Sequence, residues 1–278
     1  VGLRFDYEHA KTTYNQDKTT LSTGVTTHAK DFVSSASFRQ FTPKFTLQYL
    51  TNKDNLYYIS ITRGYKPGGF NTIFKTDAER TYDPEYSWNY EVGTRLKFLN
   101  GRLTAEADLF YIDWGHMQTT YTVPGVGNVI ANAGHTDSKG FELSLAYHPI
   151  KSLQLNLNYG YTHARYLEYK KSAREDFSDN RLPMVPNHTL SLNGTYTIMP
   201  AGWFDKIIFN TGLTGLGRIY WADDNIVRQN FYATLNAKVS LTKGIFTWEV
   251  WGKNLTATDY MAYGFKASQG NYAQRGKP

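Results

Sequence analysis

Apolar and polar positions alternate with a period of two along most of the chain, most regularly between Trp88 and Trp114. Tyr90, Val92, Thr94, Leu96 and Phe98 fall on one side of an extended chain, and Glu91, Arg95 and Lys97 on the other. After Asn100 and Gly101 the alternation resumes, with Leu103, Ala105, Ala107, Leu109 and Tyr111 against Thr104, Glu106 and Asp108. A helical period scatters these apolar positions around the circumference, whereas a period of two gathers them. Asn100 followed by Gly101 predicts a type I′ hairpin turn, because both central residues of that turn need positive φ. Each arm exceeds the roughly five or six residues of an ordinary strand and reaches the roughly nine to eleven that cross a bilayer at a tilt. Tyr111 and Trp114 at one end and Phe98 at the other sit where amphipathic rings favour the two lipid interfaces.

The same alternation predicts about eleven strands, near 1–8, 41–49, 57–62, 88–99, 102–114, 141–147, 153–162, 190–196, 207–213, 231–241 and 246–250. Short turns at 51–55, 100–101, 149–152, around 200 and 242–244 alternate with long loops at 12–35, 66–86, 115–136, 165–187, 220–230 and beyond 257. Outer-membrane barrels sort their connections in this way, short on the periplasmic side and long outside. A Greek-key sandwich has no reason to do so. The fold class expected is therefore all-β, a transmembrane antiparallel β-barrel. The turn at 100–101 is assigned to the periplasmic side, Trp114 to the outer interface.

Composition narrows the alternatives. No run approaches the ~18 apolar residues of a transmembrane helix, yet a barrel strand is only half apolar and leaves no such run. Cysteine is absent, which excludes disulfides and thiolate metal sites. The formal charge of +6 serves solubility, or attraction for anionic ligands and lipopolysaccharide. Val1, Leu3, Phe5 and Tyr7 already alternate with Gly2, Arg4, Asp6 and Glu8, so the chain is expected to begin inside a strand, as a fragment lacking its N-terminal part.

Four groups of residues carry a family likeness. Residues 63–71 (Arg63, Gly64, Tyr65, Lys66, Pro67, Gly68, Gly69, Phe70, Asn71), then Tyr82, Asp83, Pro84 and Glu85, then Tyr90, Glu91, Val92 and Gly93, and last Gly252, Lys253, Asn254 and Leu255 near Tyr260 resemble the C-terminal half of the barrel of TonB-dependent outer-membrane receptors. The likeness spans nearly the whole chain and implies a parent barrel of about 22 strands around a plugged lumen. Residues 1–278 then form a partial barrel of about 11–12 strands, with the plug domain, its TonB box and the first strands absent and the last strand cut off at Arg275, Gly276, Lys277 and Pro278. Such a half-barrel exposes two unpaired edges and is not expected to be stable alone.

Catalytic chemistry finds no footing. The histidines at 9, 28, 116, 135, 148, 163 and 188 lack metal-ligand spacing, and neither a nucleophile elbow nor a phosphate-binding loop occurs. The chain is read as a non-enzyme with no cofactor and no metal of its own. Glu91, Arg95, Lys97, Glu106, Asp108, Glu142, Lys238 and Glu249 are expected to face the lumen, as a network that holds the plug or as the wet face of a sheet. Phe110 and Ile112 break the polar parity and are expected to pack against loops or plug. The resemblance implies ligand binding by external loops with the plug apex. The loop cations and aromatics Tyr65, Lys66, Arg80, His116, Tyr121, His135, Arg174, Arg181, Trp221 and Arg228 are the candidates, since such groups suit an anionic, ring-bearing ferric chelate. The implied function is TonB-energised import of a scarce nutrient across the Gram-negative outer membrane, a ferric siderophore first, with cobalamin, haem or an oligosaccharide as alternatives. The implied partners are that ligand, the TonB complex through the plug, and outer-membrane lipid and lipopolysaccharide, with no nucleic acid. A passive porin or adhesin, and a soluble carbohydrate-binding protein, remain competing classes.

Overall fold

A computed structural model of the chain describes residues 1–51, 55–74, 76–123, 127–132, 134–170, 175–267 and 270–277. β1 (Gly2–Thr20), β2 (Val25–Thr51) and β3 (Asn55–Lys66) open a large antiparallel sheet. β4 (Gly69–Phe70) pairs with β5 (Thr81–Tyr82) across a 3-10 turn at Asp77–Arg80, and β6 (Glu85–Phe98) and β7 (Leu103–Gly115) rejoin the sheet. β8 (Gln118–Val123) and β9 (Gly127–Asn132) form a separate hairpin before β10 (His135–Ile150), β11 (Leu153–Glu168), β12 (His188–Ile198) and β13 (Lys206–Leu216). After a two-residue pair, β14 (Ile219–Tyr220) and β15 (Arg228–Gln229), the sheet resumes with β16 (Tyr232–Lys243) and β17 (Phe246–Gly252). A last hairpin joins β18 (Met261–Ala267) to β19 (Gly270–Arg275).

Eleven strands thus neighbour one another in chain order, a plain up-and-down meander. The four small hairpins all lie within the long connections, so the alternation of short and long links holds from β2 onward. Residues 52–54 of the expected 51–55 turn lie outside the described residues.

Period two sorts the wall into two faces. On one, the Phe5 ring meets Phe41 at 4.9 Å, Tyr90 meets Tyr111 at 6.3 Å and Phe141 meets Tyr159 at 5.6 Å. Val92, Leu109 and Val250 on the same face are 47%, 59% and 73% exposed, which suits lipid and not water. Fully buried apolar side chains are found elsewhere. Val129, Ala164, Tyr166, Tyr169 and Ile219 all belong to the outer strand ends and the loops. One strand layer with lipid on one side has no interior to fill.

Two expectations need correction. The Thr-rich stretch at 12–35 is not a loop: β1 and β2 run through it in register as far as Thr20 opposite Val25, with a slip at Gln16 and Asp17. Thr and Val are strand formers, and the Tyr14 ring meets Phe32 at 5.0 Å across the pair. The polarity of this stretch marks a hairpin standing clear of lipid; pairing needs only backbone groups. The turn after β6 is also shifted by one residue. Gly101 N donates to Phe98 O at 3.0 Å, so the central positions are Leu99 (φ 54°) and Asn100 (φ 57°), with Gly101 following at φ 82°. A leucine accepts the left-handed conformation here, where glycine or asparagine is the usual occupant.

Candidate functional site

The face opposite the apolar one carries paired polar groups along the wall. Tyr58 hydroxyl donates to Glu91 Oε1 at 2.5 Å. Its ring lies over Gly93, the residue directly across the β3–β6 pair, where a Cβ would come within 2.6 Å of the ring. Arg95 grips both oxygens of Glu106, Nε to Oε1 at 2.8 Å and Nη2 to Oε2 at 3.2 Å. Lys238 Nζ and Ser240 Oγ both donate to Glu249 Oε1, at 2.9 and 2.8 Å. Lys97 stands opposite Thr104, near the turn, and its backbone N–H donates to Asn55 Oδ1 at 2.9 Å.

Asp108 breaks this pairing. It lies directly across from Glu142 and in the fields of Glu91 and Glu106 as well. Like charges in direct register weaken a strand pair, and among the described residues no cation pairs with Asp108 or Glu142. A surface of this kind is complementary to cations. Phe110, on the same face, covers Gly140 across β7–β10, where a Cβ would come within 2.8 Å of its ring. Further along, a groove of about 420 Å³ is lined by Asn193, Asn210, Asn236, Lys238, Trp251 and Lys253, with Lys253 Nζ 5.8 Å from the Trp251 ring centre.

Asparagine side chains tie the loops above the wall to one another. Asn71 Nδ2 donates to Ile130 O at 2.7 Å while its Oδ1 accepts from Ile130 N at 2.9 Å, which fastens the β4 end to β9. Asn132 does the same for Asp83, at 2.7 and 2.9 Å. Asn225 accepts from Arg181 N at 2.7 Å and donates to Arg181 O at 2.9 Å. A carboxamide offers a donor and an acceptor side by side and so imitates a strand partner. Tyr166 and Tyr169 pack at 4.6 Å with Met117, Phe177 and Leu182 around them, and Tyr166 hydroxyl donates to Asp223 Oδ1 at 2.7 Å. Burial first, then the Asp223 carboxylate, pushes the Tyr166 phenol above its ordinary pKa.

The ligand candidates are dispersed over this layer. Lys66 Nζ lies 3.9 Å from Glu85, and Tyr65 opposes Tyr86 at the outer end of β3. Arg80 is ion-paired with Asp77, and its guanidinium lies over Phe32 and Phe74 at 4.9 and 5.3 Å. The His116 ring lies against Tyr86 at 5.4 Å, His135 is hydrogen-bonded to Asp113, and Trp221 meets Tyr263 edge-on at 5.7 Å. Arg228 stands across from Tyr220 in the β14–β15 pair. Hydrogen bonding from Arg218, then the Arg218 and Arg228 charges, lower the Tyr220 phenol below its ordinary pKa. Arg174 and the side chain of Tyr121 lie outside the described residues. Arg218, Tyr220, Tyr58 and Trp251 escape the sequence reading. For Tyr58 and Trp251 a signal was present, an aromatic ring at a polar parity position.

Known proteins bear on this arrangement directly. The family described as TonB dependent receptor-like, beta-barrel matches residues 1–255. The pesticin receptor of Yersinia pestis is 25% identical over 277 residues, covering 98% of this chain and 38% of that protein. The metal-pseudopaline receptor CntO of Pseudomonas aeruginosa is 28% identical over 205 residues, 73% of this chain and 26% of that one. Among solved structures, the ferric yersiniabactin uptake receptor FyuA from Yersinia pestis superposes with a TM-score of 0.81 at 22% identity, over 99% of this chain and 40% of that one. The siderophore receptor PiuA from Acinetobacter baumannii does so with a TM-score of 0.73 at 20% identity, over 98% and 38%. The chain thus spans about two fifths of the pesticin receptor and of both solved structures. With its meander, its two sorted faces and a family match over most of its length, the chain belongs to the TonB dependent receptor-like, beta-barrel family of the Gram-negative outer membrane.

Proposed function

We propose that residues 1–278 supply the C-terminal part of the barrel of a receptor that binds a ferric siderophore outside the cell and imports it with energy from TonB. The division of the wall carries this reading: an apolar face toward lipid backs a polar face with uncompensated carboxylates at Asp108 and Glu142. A passive channel has no need of a surface charged to hold a plug. In this reading Glu91, Arg95, Lys97, Glu106, Asp108, Glu142, Lys238 and Glu249 line the lumen. The plug, with the TonB box that meets the inner-membrane energy source, docks on them. Cargo binding falls to the loop layer, and the Arg218, Tyr220 and Arg228 cluster joins the candidates because two guanidinium groups beside a phenol suit an anionic chelate. The receptor makes and breaks no covalent bond, and the metal arrives already chelated. Its likeness to the ferric yersiniabactin uptake receptor and the metal-pseudopaline receptor favours iron or metal chelates over cobalamin, haem or an oligosaccharide.

The test is growth and radioactive-iron uptake under iron limitation, with the gene deleted and then restored. Loss of uptake of one ferric siderophore, regained on restoration, is the expected result. Unchanged uptake of every siderophore tried removes the iron reading. Restoration with Arg218→Gln and Arg228→Gln together is expected to raise the apparent KM for that siderophore at an unchanged receptor level in the outer membrane.

A further inference from the structure

At the outer end of β11 the chain returns twice and extends the wall by three segments. Thr162 N donates to Asn187 O at 3.1 Å and Leu182 N to Ala164 O at 3.1 Å, which lays residues 182–187 beside β11. Asn187 N donates to Arg218 O at 3.1 Å and Met184 N to Tyr220 O at 2.7 Å, which lays the start of β14 beside them in turn. Among these segments is a cavity of about 40 Å³ whose polar lining is Thr162, Arg181, Asn187, Arg218 and Tyr220. A single buried water takes roughly 10–15 Å³ of such space. The cavity therefore suits one compact group and is too small for an aromatic ring.

The lining is cationic and its charge is uncompensated. Among the described residues no carboxylate pairs with Arg181 or Arg218, and those nearby are engaged elsewhere. Asp137 and Asp179 accept from Arg165 at 3.1 and 3.2 Å, and Asp223 Oδ1 accepts from the Tyr166 hydroxyl at 2.7 Å. Arg181 also stands directly across from Arg165, and like charges in register weaken a strand pair. Thr162 and Tyr220 bring hydroxyls. Asn187 brings a carboxamide whose buried Oδ1 has no hydrogen-bond partner among the described residues, so nothing holds it from presenting Nδ2 instead. Two guanidinium groups, two hydroxyls and an amide around one small space make a set rich in donors and short of acceptors. An oxyanion offers acceptors on every side and matches the guanidinium fork.

We propose that this cavity holds one free, compact inorganic oxyanion of the sulfate or phosphate class, gripped by Arg181 and Arg218 and bonded by Thr162, Asn187 and Tyr220. The ion supplies the missing negative charge and joins β11, residues 182–187 and the start of β14 into one unit. It is a fixed part of the loop layer and is independent of the cargo. Arg218 and Tyr220 form the wall of the cavity toward the cargo candidates, and Arg228 stands outside the lining.

The test uses the full-length receptor, purified from outer membranes, reconstituted into nanodiscs and freed of sulfate and phosphate by dialysis against chloride. Hydrogen exchange is followed by mass spectrometry as sulfate replaces chloride at constant ionic strength. Exchange across 182–187 and 218–220 is expected to slow saturably in millimolar sulfate, about tenfold at about ten times the Kd, with β6 and β7 unchanged. Phosphate is expected to act in the same way. Arg181→Gln and Arg218→Gln are each expected to abolish the slowing. Lys139→Gln, which removes a cation that acts on His163 as Arg181 does but is absent from the lining, is expected to keep it. If an arginine variant fails to show the heat-dependent gel shift of a folded barrel, Thr162→Val takes its place, with sulfate binding weakened about fivefold by the loss of one hydroxyl. Equal slowing when chloride is raised instead identifies screening and overturns the site. A need for molar sulfate identifies an adventitious ion only and also overturns it. Slowing that appears only with a ferric siderophore bound overturns it by assigning the cavity to the cargo. A receptor that imports no ferric siderophore yet shows the sulfate effect defeats the cargo reading and leaves this site standing.

Discussion

The wall and the loop layer of this chain are built on opposite terms. In the wall, strand follows strand in register and side chains sort by parity, yet scarcely any apolar side chain there is fully buried. The loop layer has short, irregular pairs, and in it lie the most buried apolar side chains among the described residues, Val129 and Tyr166 at 0% and 2% exposure. The difference follows from the solvent on each side. A strand wall with lipid on one face is stabilised by backbone hydrogen bonds and by lipid itself. Loops above the membrane meet water and must bury something of their own to hold a shape. The wall therefore tolerates changes that respect parity, and the loop layer depends on a few particular contacts.

Tyr166→Ala breaks the comparison most sharply. Removing a buried ring and its bond to Asp223 is expected to cost about 3–5 kcal/mol, confined to the loop layer. Hydrogen exchange in the β11–β12 connection should rise by orders of magnitude while exchange in β6 and β7 stays as it was. If the wall loosens too, the two regions are one cooperative unit and the distinction fails. Val92→Arg attacks the other side. A cation on the lipid face near the midplane is expected to cost about 2–4 kcal/mol of barrel stability, measurable by denaturant unfolding from lipid vesicles, with loop exchange unchanged below the transition. A cost near zero there would mean that Val92 does not meet lipid.

The same contrast decides what could be read from residues alone. Parity in Tyr90, Val92 and Leu96 against Glu91 and Arg95 exposes the wall, because lipid and lumen impose it on every strand. Above the membrane that constraint lapses, which is why 12–35 resembles a loop and is a paired hairpin. In the loops the structure is made by side chains reaching distant backbone, as Asn71 reaches Ile130 and Asn225 reaches Arg181. No local pattern announces such a pairing. Arg80 and His135 attract notice as loop cations, and both turn out to be engaged, Arg80 with Asp77 and His135 with Asp113. Arg218 and Tyr220 pass unnoticed because their meaning depends on Arg228, several residues away across a turn.

Asn225→Gly tests a single clip. Asn225 has φ 54°, so glycine keeps the backbone conformation and removes only the carboxamide. The loss is expected to be about 1–3 kcal/mol, the cost of leaving the Arg181 backbone groups unpaired. It should appear as faster exchange at Arg181 and easier proteolysis of the β11–β12 connection in intact cells. A variant indistinguishable from wild type would move the credit for loop order wholly to the Tyr166 cluster.

The smallest effect belongs to the short-turn side, where loop-style ties also occur. Asp205, in the connection between β12 and β13, accepts from Gly244 N at 2.7 Å and from Lys243 Nζ at 2.9 Å, joining two neighbouring turns. The Gly244 N–H first, and then Lys243, hold its carboxyl below the ordinary carboxylate pKa. A depressed folded-state pKa means that the contribution is complete above the unfolded value of about 3.9 and is lost as pH falls through the folded one. Wild type should therefore exceed Asp205→Asn in unfolding free energy at neutral pH, and the gap should close as the pH drops below about 4. A gap that persisted in acid would assign the tie to the shape of the turn, leaving the charge of Asp205 without a part in it.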